Sequence, residues 1–424
     1  MYVSFRVSFR RIYITNAHLI PKDKPVLITP NHPNSFIDGI LLAVLLRRKL
    51  NQLARGDTFK TPIGNWALRS LRLLPIFRAD DGAGSNQKLK NQESFETCYR
   101  IFRKNGSVLI FPEGLCVSER RLRPLKKGAA RMAFEFIEKN PGFDLLIVPI
   151  GINYSNTGHF REEVCINFAK PFSASEFSQS IVADKTYSKA IVEFNNRLFE
   201  EMERELVIIK NPENDTVGNE YLLMARNQYK PSFWGFFKKT KKRFLAEKRA
   251  ANDLNHLSET NPEGFETFKK SIHDYCKNLK QVKIKDKYFA IPLFEKILYL
   301  IFTITFFQVA FIGMILNFIP VVIAKRIADK IVAKIEFYDS VNMCAGALIS
   351  ALYFLILLLI LIPIFGWKGV LIVIGIRLCG FLFLFWKEAA LNTLYWYRIL
   401  VTKSGRNINR TLQSQRKFIL EYFG

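Results

Sequence analysis

KPVLITPNHPNSFIDG, residues 24–39, decides the fold. Its first half, KPVLITPNH (24–32), holds a short apolar, β-branched core beside turn residues and reads as a buried strand ending at about Thr29. A polar loop follows, and a helix can begin near Ser35 or Phe36. The same strand pattern recurs in GSVLIFPEG (106–114), DLLIVPIGINY (144–154) and VCINFAK (164–170). Between these runs, 36–49 and 90–104 read as helices, and KGAARMAFEFIEK (127–139) is amphipathic. Continuous apolar strands alternating with helices predict an α/β domain with a mostly buried sheet over residues 1–210.

The chain has 424 residues, with 62 Lys plus Arg against 37 Asp plus Glu, a formal charge of +25. Nearly half of it (49%) is apolar, so it is not a disordered polycation. Six cysteines without a CxxC pair argue against both a disulfide scaffold and a structural zinc site. The opening MYVSFRVSFRRIYITN has no apolar leader core, so the first half is expected in the cytoplasm. Excess positive charge beside strong C-terminal hydrophobicity favours anionic membrane lipids as partners and excludes nucleic acid.

Residues 211–290 form a polar, basic connector that reads as helical. Its aromatic run FWGFF (233–237) precedes KKTKKRFLAEKR (238–249), which suits either a segment lying on an anionic bilayer or a solvated helix face. Residues 291–395 read as a helical membrane region of two or three spans. Its apolar runs are 297–316, 344–367 and 369–386, the last interrupted by Arg377. Pro320 and Pro363 mark candidate breaks, and 325–340 reads as an amphipathic surface helix. A basic tail, 396–424, ends the chain. Positive charge on both flanks of the apolar region calls for an even number of crossings, which three full spans would not give.

Two loops carry chemistry. His32 sits where the first strand ends, with Asp38 in the first turn of the following helix. An imidazole and a carboxylate that fixes its tautomer make a general-base pair. The strand VLIF (108–111) runs into Pro112-Glu113-Gly114, then into a basic stretch holding Arg120, Arg121, Arg123, Lys126, Lys127 and Arg131, a candidate phosphate site. Arg78 follows a further strand-like run in LPIFRAD (74–80). Phosphate-loop, dinucleotide and serine-elbow signatures are missing, and the histidines lack metal-ligand spacing, so no cofactor and no metal are expected.

NHPNSFID (31–38), PIFR (75–78), FPEGLCVS (111–118) and VPIGINY (148–154), in that order, resemble the glycerolipid phosphate acyltransferase family. The resemblance covers roughly residues 5–210 and implies O-acyl transfer from an acyl-CoA or acyl carrier protein thioester for phospholipid synthesis. It makes His32 and Asp38 the catalytic pair. It assigns Arg78, Glu113, Gly114 and Ser118 to substrate binding, and the basic run, including Lys126 and Lys127, to the phosphates of CoA. The expected acceptor is lysophosphatidate, giving phosphatidate. Glycerol-3-phosphate, another lysolipid, and an inactive membrane scaffold are the alternatives. One departure stands out: five residues separate His32 from Asp38, where most of the family has four. This longer form resembles a branch that acylates glycerol-3-phosphate or dihydroxyacetone phosphate. The apolar runs predict an integral membrane protein, with its catalytic domain expected on the cytoplasmic side.

Overall fold

A computed structural model describes residues 5, 7–46, 48–77, 87–156, 161–177, 187–229, 237–238 and 241–423. The α/β unit is built on one mixed sheet. Its strands are β1 (Phe9–Thr15), β2 (Val26–Pro30), β3 (Leu50–Arg55), β4 (Leu73–Ile76), β5 (Ser107–Leu109), β6 (Leu146–Tyr154), β7 (Glu162–Phe168), β8 (Phe172–Ser173) and β9 (Phe237–Lys238). They lie in the order β4-β3-β5-β2-β6-β7-β1-β9, with β8 beside β6. All pairs are parallel except β6 with β7 and with β8.

The apolar alternation of each strand divides the core. Leu27, Val108 and Ile147 face one way, against helices α3 (Gln87–Phe102), α4 (Gly128–Lys139) and α5 (Ser188–Arg204). There Phe102, Phe134, Phe136 and Phe194 are fully buried, each stabilising by about 1.5–3 kcal/mol. Ile12, Val26, Ile28, Leu109 and Val148 face the other way, against Ile37, Leu41 and Leu42 of α1 (Ser35–Leu45). Helix α2 (Pro62–Ser70) lies between β3 and β4 in the chain.

Four strands escaped the sequence reading: the two-residue β8 and β9, and the longer β1 and β3. β1 carries Arg10 and Arg11, which look wrong for a buried strand until their partners Glu388 and Glu163 are seen. In β3 the buried Gln52 bonds the Gly39 carbonyl of α1 at 3.1 Å.

A second core joins α6 (Asp215–Asn227), α7 (Lys242–Thr260) and α8 (Pro262–Gln281) to the C-terminal α14 (Lys403–Leu420). Phe233, Trp234, Gly235 and Phe236 of the aromatic run lie outside the described residues. Part of the basic stretch beyond them is paired inside the fold, while Lys242 and Arg249 are exposed. Arg243 is buried against Glu163 (3.1 Å), and Phe244 joins the core. Lys241 pairs with Glu205, and Lys248 bonds the carbonyls of Glu203 and Arg204. Acids distant in sequence turn an apparent charge run into internal pairing.

Helices α12 (Ile335–Phe365) and α13 (Lys368–Leu400) have 31 and 33 residues and are apolar enough to cross a membrane. At 1.5 Å per residue each exceeds 45 Å, against a hydrocarbon thickness of about 30 Å. The run 297–316 is not a third straight span. It splits into α9 (Leu293–Thr305) and α10 (Phe307–Leu316), bent by 64°. α9 and α10 run antiparallel to α13: the Trp386 indole N–H bonds the Thr303 carbonyl at 2.8 Å, and the Asn317 amide bonds the Ile376 carbonyl at 3.0 Å. α11 (Phe318–Ile331) then returns along α12. The Tyr353 hydroxyl meets the Leu316 carbonyl (2.8 Å), and a Cβ on Gly346 would lie 3.7 Å from that of Ala324. The segment therefore enters and leaves at the same end of the α12–α13 hairpin. The tail shares that end, since Arg416 pairs with Asp286 (2.8 Å) and Asn278 bonds Gln415 (3.0 Å). The two straight helices of spanning length, α12 and α13, match the even number that the charge on both flanks calls for.

Two expectations are corrected here. Neither proline marks the break: Pro320 sits in the first turn of α11, where its missing N–H is tolerated, and Pro363 lies inside α12. The expected helix over 325–340 is split at 332–334, and its second half begins the long α12.

Candidate active site

β2 and β5 are adjacent and parallel, so their C-terminal ends deliver the 31–38 loop and the 110–118 loop side by side. In open α/β sheets this edge is the usual ligand site. The His32 backbone N–H donates to Glu113 Oε1 (3.0 Å), and the Arg123 N–H donates to Oε2 (3.1 Å). Glu113 thus ties three stretches of chain together. Burial pushes its carboxyl upward, opposed by those two N–H donors. The Val117 N–H closes the contact on the His32 carbonyl at 3.2 Å.

His32 Nδ1 lies 3.0 Å from Asp38 Oδ2, and its ring stacks on Phe111 at 3.6 Å between centroids. Asp38 is fully buried and satisfied on both oxygens. Oδ2 also accepts the Asn34 N–H (2.8 Å), and Oδ1 accepts the Tyr154 hydroxyl (2.7 Å). Burial, with the Asp38 carboxylate adding to it, holds the Tyr154 phenol well above its ordinary pKa. Because Nδ1 is spent on a carboxylate, it carries the ring's hydrogen and leaves Nε2 as the basic nitrogen. Tyr154→Phe leaves Oδ1 of a buried carboxylate without its donor. We expect a loss of about 1–3 kcal/mol, read as a lower thermal unfolding midpoint of the detergent-solubilised protein.

The turn between His32 and Asp38 is strained, since Ser35 has φ +35°. Its N–H is held by Cys116 Sγ at 3.0 Å, and burial pushes that thiol up to about 12, keeping it an uncharged thiol. Gly114 has φ +69°, a conformation side chains resist, and a Cβ there would lie 3.0 Å from Lys126 Cγ.

Of the residues expected from sequence, His32, Asp38, Glu113, Gly114 and Ser118 come together, while Arg78 lies outside the described residues. Lys126 and Lys127 are exposed beside the second loop. Arg120, Arg121 and Arg123 are bound elsewhere: Arg120 to Asn219 and the Tyr154 and Ser155 carbonyls, Arg121 to Asp215 (2.7 Å), Arg123 to Glu119. A polar cavity of about 220 Å³ adjoins the loop, lined in part by Asn31, Pro33, Ser118, Arg120 and Tyr154. Sequence reasoning missed Tyr154 and Cys116 as supports, although both lie inside stretches it singled out.

The match to known proteins follows this geometry. Residues 11–153 match the family model described as Acyltransferase. A glycerol-3-phosphate O-acyltransferase of Saccharomyces cerevisiae is 24% identical over 66% of this chain and 37% of its own length. A chloroplastic 1-acyl-sn-glycerol-3-phosphate acyltransferase of Arabidopsis thaliana is 29% identical over 30% of this chain and 33% of its own. The chain thus spans about a third of each relative. The crystal structure of a 1-acyl-sn-glycerophosphate acyltransferase from Thermotoga maritima aligns with TM-score 0.31 and 19% identity, covering 46% of this chain and 73% of that one.

Proposed function

We propose that the protein is a membrane O-acyltransferase that moves a fatty acyl group from a thioester to a free hydroxyl of lysophosphatidate, forming phosphatidate. The observation that carries this reading is the His32–Asp38 pair at 3.0 Å, inside the segment that matches the acyltransferase family. His32 Nε2 takes the proton of the acceptor hydroxyl as its oxygen attacks the thioester carbon. The C–S bond breaks, and the thiolate leaves and recovers the proton. Asp38 holds the imidazole and stabilises its protonated form. No acyl-enzyme is needed, because the acceptor is itself the nucleophile once positioned.

Arg78 is proposed to bind the acceptor phosphate, with Ser118 and Gly114 lining its approach. The exposed Lys126 and Lys127 receive the phosphates of a CoA donor. Glu113, whose two oxygens hold backbone N–H groups, serves as the strut between the loops. The basic flanks at the shared end of the membrane hairpin support a cytoplasmic position for that end and for the catalytic unit.

Glycerol-3-phosphate is the second reading. It is favoured by the yeast glycerol-3-phosphate enzyme matching 66% of this chain, far beyond residues 11–153. The test offers labelled oleoyl-CoA to membranes containing the full-length protein, with either acceptor in parallel. Phosphatidate from lysophosphatidate is the expected product. Product from glycerol-3-phosphate alone replaces the acceptor. No ester with either acceptor, from CoA or acyl carrier protein thioesters, overturns the function.

A further inference from the structure

The geometry points to the membrane helix α12 as part of the catalytic apparatus, with Asp339 and Ser340 as positioning residues for the His32–Asp38 turn. Four polar or apolar contacts from its first turns reach the two site loops. Asn34 Nδ2 donates to Asp339 Oδ2 at 3.0 Å, and the Ile37 N–H donates to Ser340 Oγ at 3.2 Å. The Ser118 N–H donates to Glu336 Oε1 at 3.4 Å, and Met343 enters the core formed by Ile37 and Leu41. Residues 336, 339, 340 and 343 follow the i, i+3, i+4, i+7 spacing of one helix face, so a single surface of α12 makes all four contacts. Phe337 adds an edge contact with Phe36, 6.4 Å between ring centroids.

The bonded atoms are what make this more than packing. The Ile37 N–H, in the first turn of α1, is shared between the Asn34 carbonyl at 3.1 Å and Ser340 Oγ, which reaches it from another helix. Asn34 and Ser340 are both fully buried. Asn34 also gives its own N–H to Asp38 Oδ2, so Asp339 fixes the side chain of the residue whose backbone orients the catalytic carboxylate. Ser35, between the two anchored residues, has φ +35°. A pair on a soluble loop is thus set by a helix long enough to cross the bilayer, and seating that helix sets the distance between base and acceptor.

This inference rests on the acyltransferase reading, and its test separates the two. Full-length Ser340→Ala, Ser340→Thr, Asp339→Ala and Asp339→Asn are compared with wild type and His32→Ala in membranes, at saturating oleoyl-CoA and acceptor. Wild-type transfer abolished by His32→Ala carries the underlying reading; no wild-type transfer removes that reading itself. Given activity, Ser340→Ala and Asp339→Ala are expected to lower kcat about tenfold or more, with the KM for oleoyl-CoA within twofold of wild type. Thr and Asn, which keep an acceptor oxygen, are expected to restore most of kcat. Rates within twofold of wild type for both alanine variants overturn the inference. So does failure of both conservative variants to rescue, or a loss confined to KM.

Discussion

His32→Ala is expected to lower kcat for acyl transfer by roughly 10²–10⁴-fold, the range a positioned general base supplies, with little change in KM for the acyl donor. The imidazole is not a fold-bearing group: it is partly exposed and stacked on Phe111. The variant loses the acceptor for the proton together with the Nδ1 bond to Asp38 and the stack on Phe111, so its unfolding midpoint is read alongside its rate. Asp38→Asn makes the companion test. Its amide oxygen can still accept from Asn34 N–H and His32 Nδ1–H, while the amide nitrogen donates to the Tyr154 hydroxyl, which turns to accept. The bonds survive but the charge that stabilises a protonated His32 does not. A fall of at least tenfold in kcat with an unchanged unfolding midpoint is expected. Labelled oleoyl-CoA transfer in membranes reads both, and a wild-type rate in His32→Ala sinks the proposed mechanism.

The sheet core and the candidate site loop were legible because each is written locally. VLIT, VLIF and LLIVPI are continuous apolar runs, and NHPNSFID lies at the end of one of them. What was not legible depends on pairs distant in sequence. β1 looks polar because Glu163 and Glu388 lie far along the chain from Arg10 and Arg11. The 64° bend at Phe306 has no proline or glycine to announce it. Tyr154 lies in a stretch that was singled out, yet its role appears only when β6 is placed beside β2 and its hydroxyl meets Asp38. Asp339 and Ser340 looked like the end of a surface helix. They are the docking end of α12, and only the position of the hairpin beneath the site reveals what they hold.

Glu163→Gln tests the joint between the sheet and that hairpin. Glu163, on β7, meets Arg11 at 3.2 Å and Arg243 at 3.1 Å. Beside it, Glu388 of α13 binds Arg10 (3.4 Å) and Arg161 (2.8 Å). Burial alone would raise the Glu163 carboxyl, but the guanidiniums of Arg243, Arg226, Arg10 and Arg11 outweigh it and hold the group down from 4.5 to about 2. A depressed carboxyl stabilises the fold fully above its unfolded pKa. That contribution is lost as the pH falls through about 4.5 toward 2. Removing the charge leaves buried guanidiniums uncompensated, a penalty of about 3–5 kcal/mol. Glu163→Gln is therefore expected to lower the unfolding midpoint sharply at pH 7 and to flatten its fall between about pH 4.5 and 2. An unchanged midpoint at pH 7 would mean that the cluster is solvated and contributes nothing. Because Arg10 and Arg11 are neighbours on β1 and reach separately for Glu388 and Glu163, loosening one pair frees the strand that links the catalytic sheet to α13. The loss should therefore extend to protection of the membrane hairpin from proteolysis, not stop at the sheet.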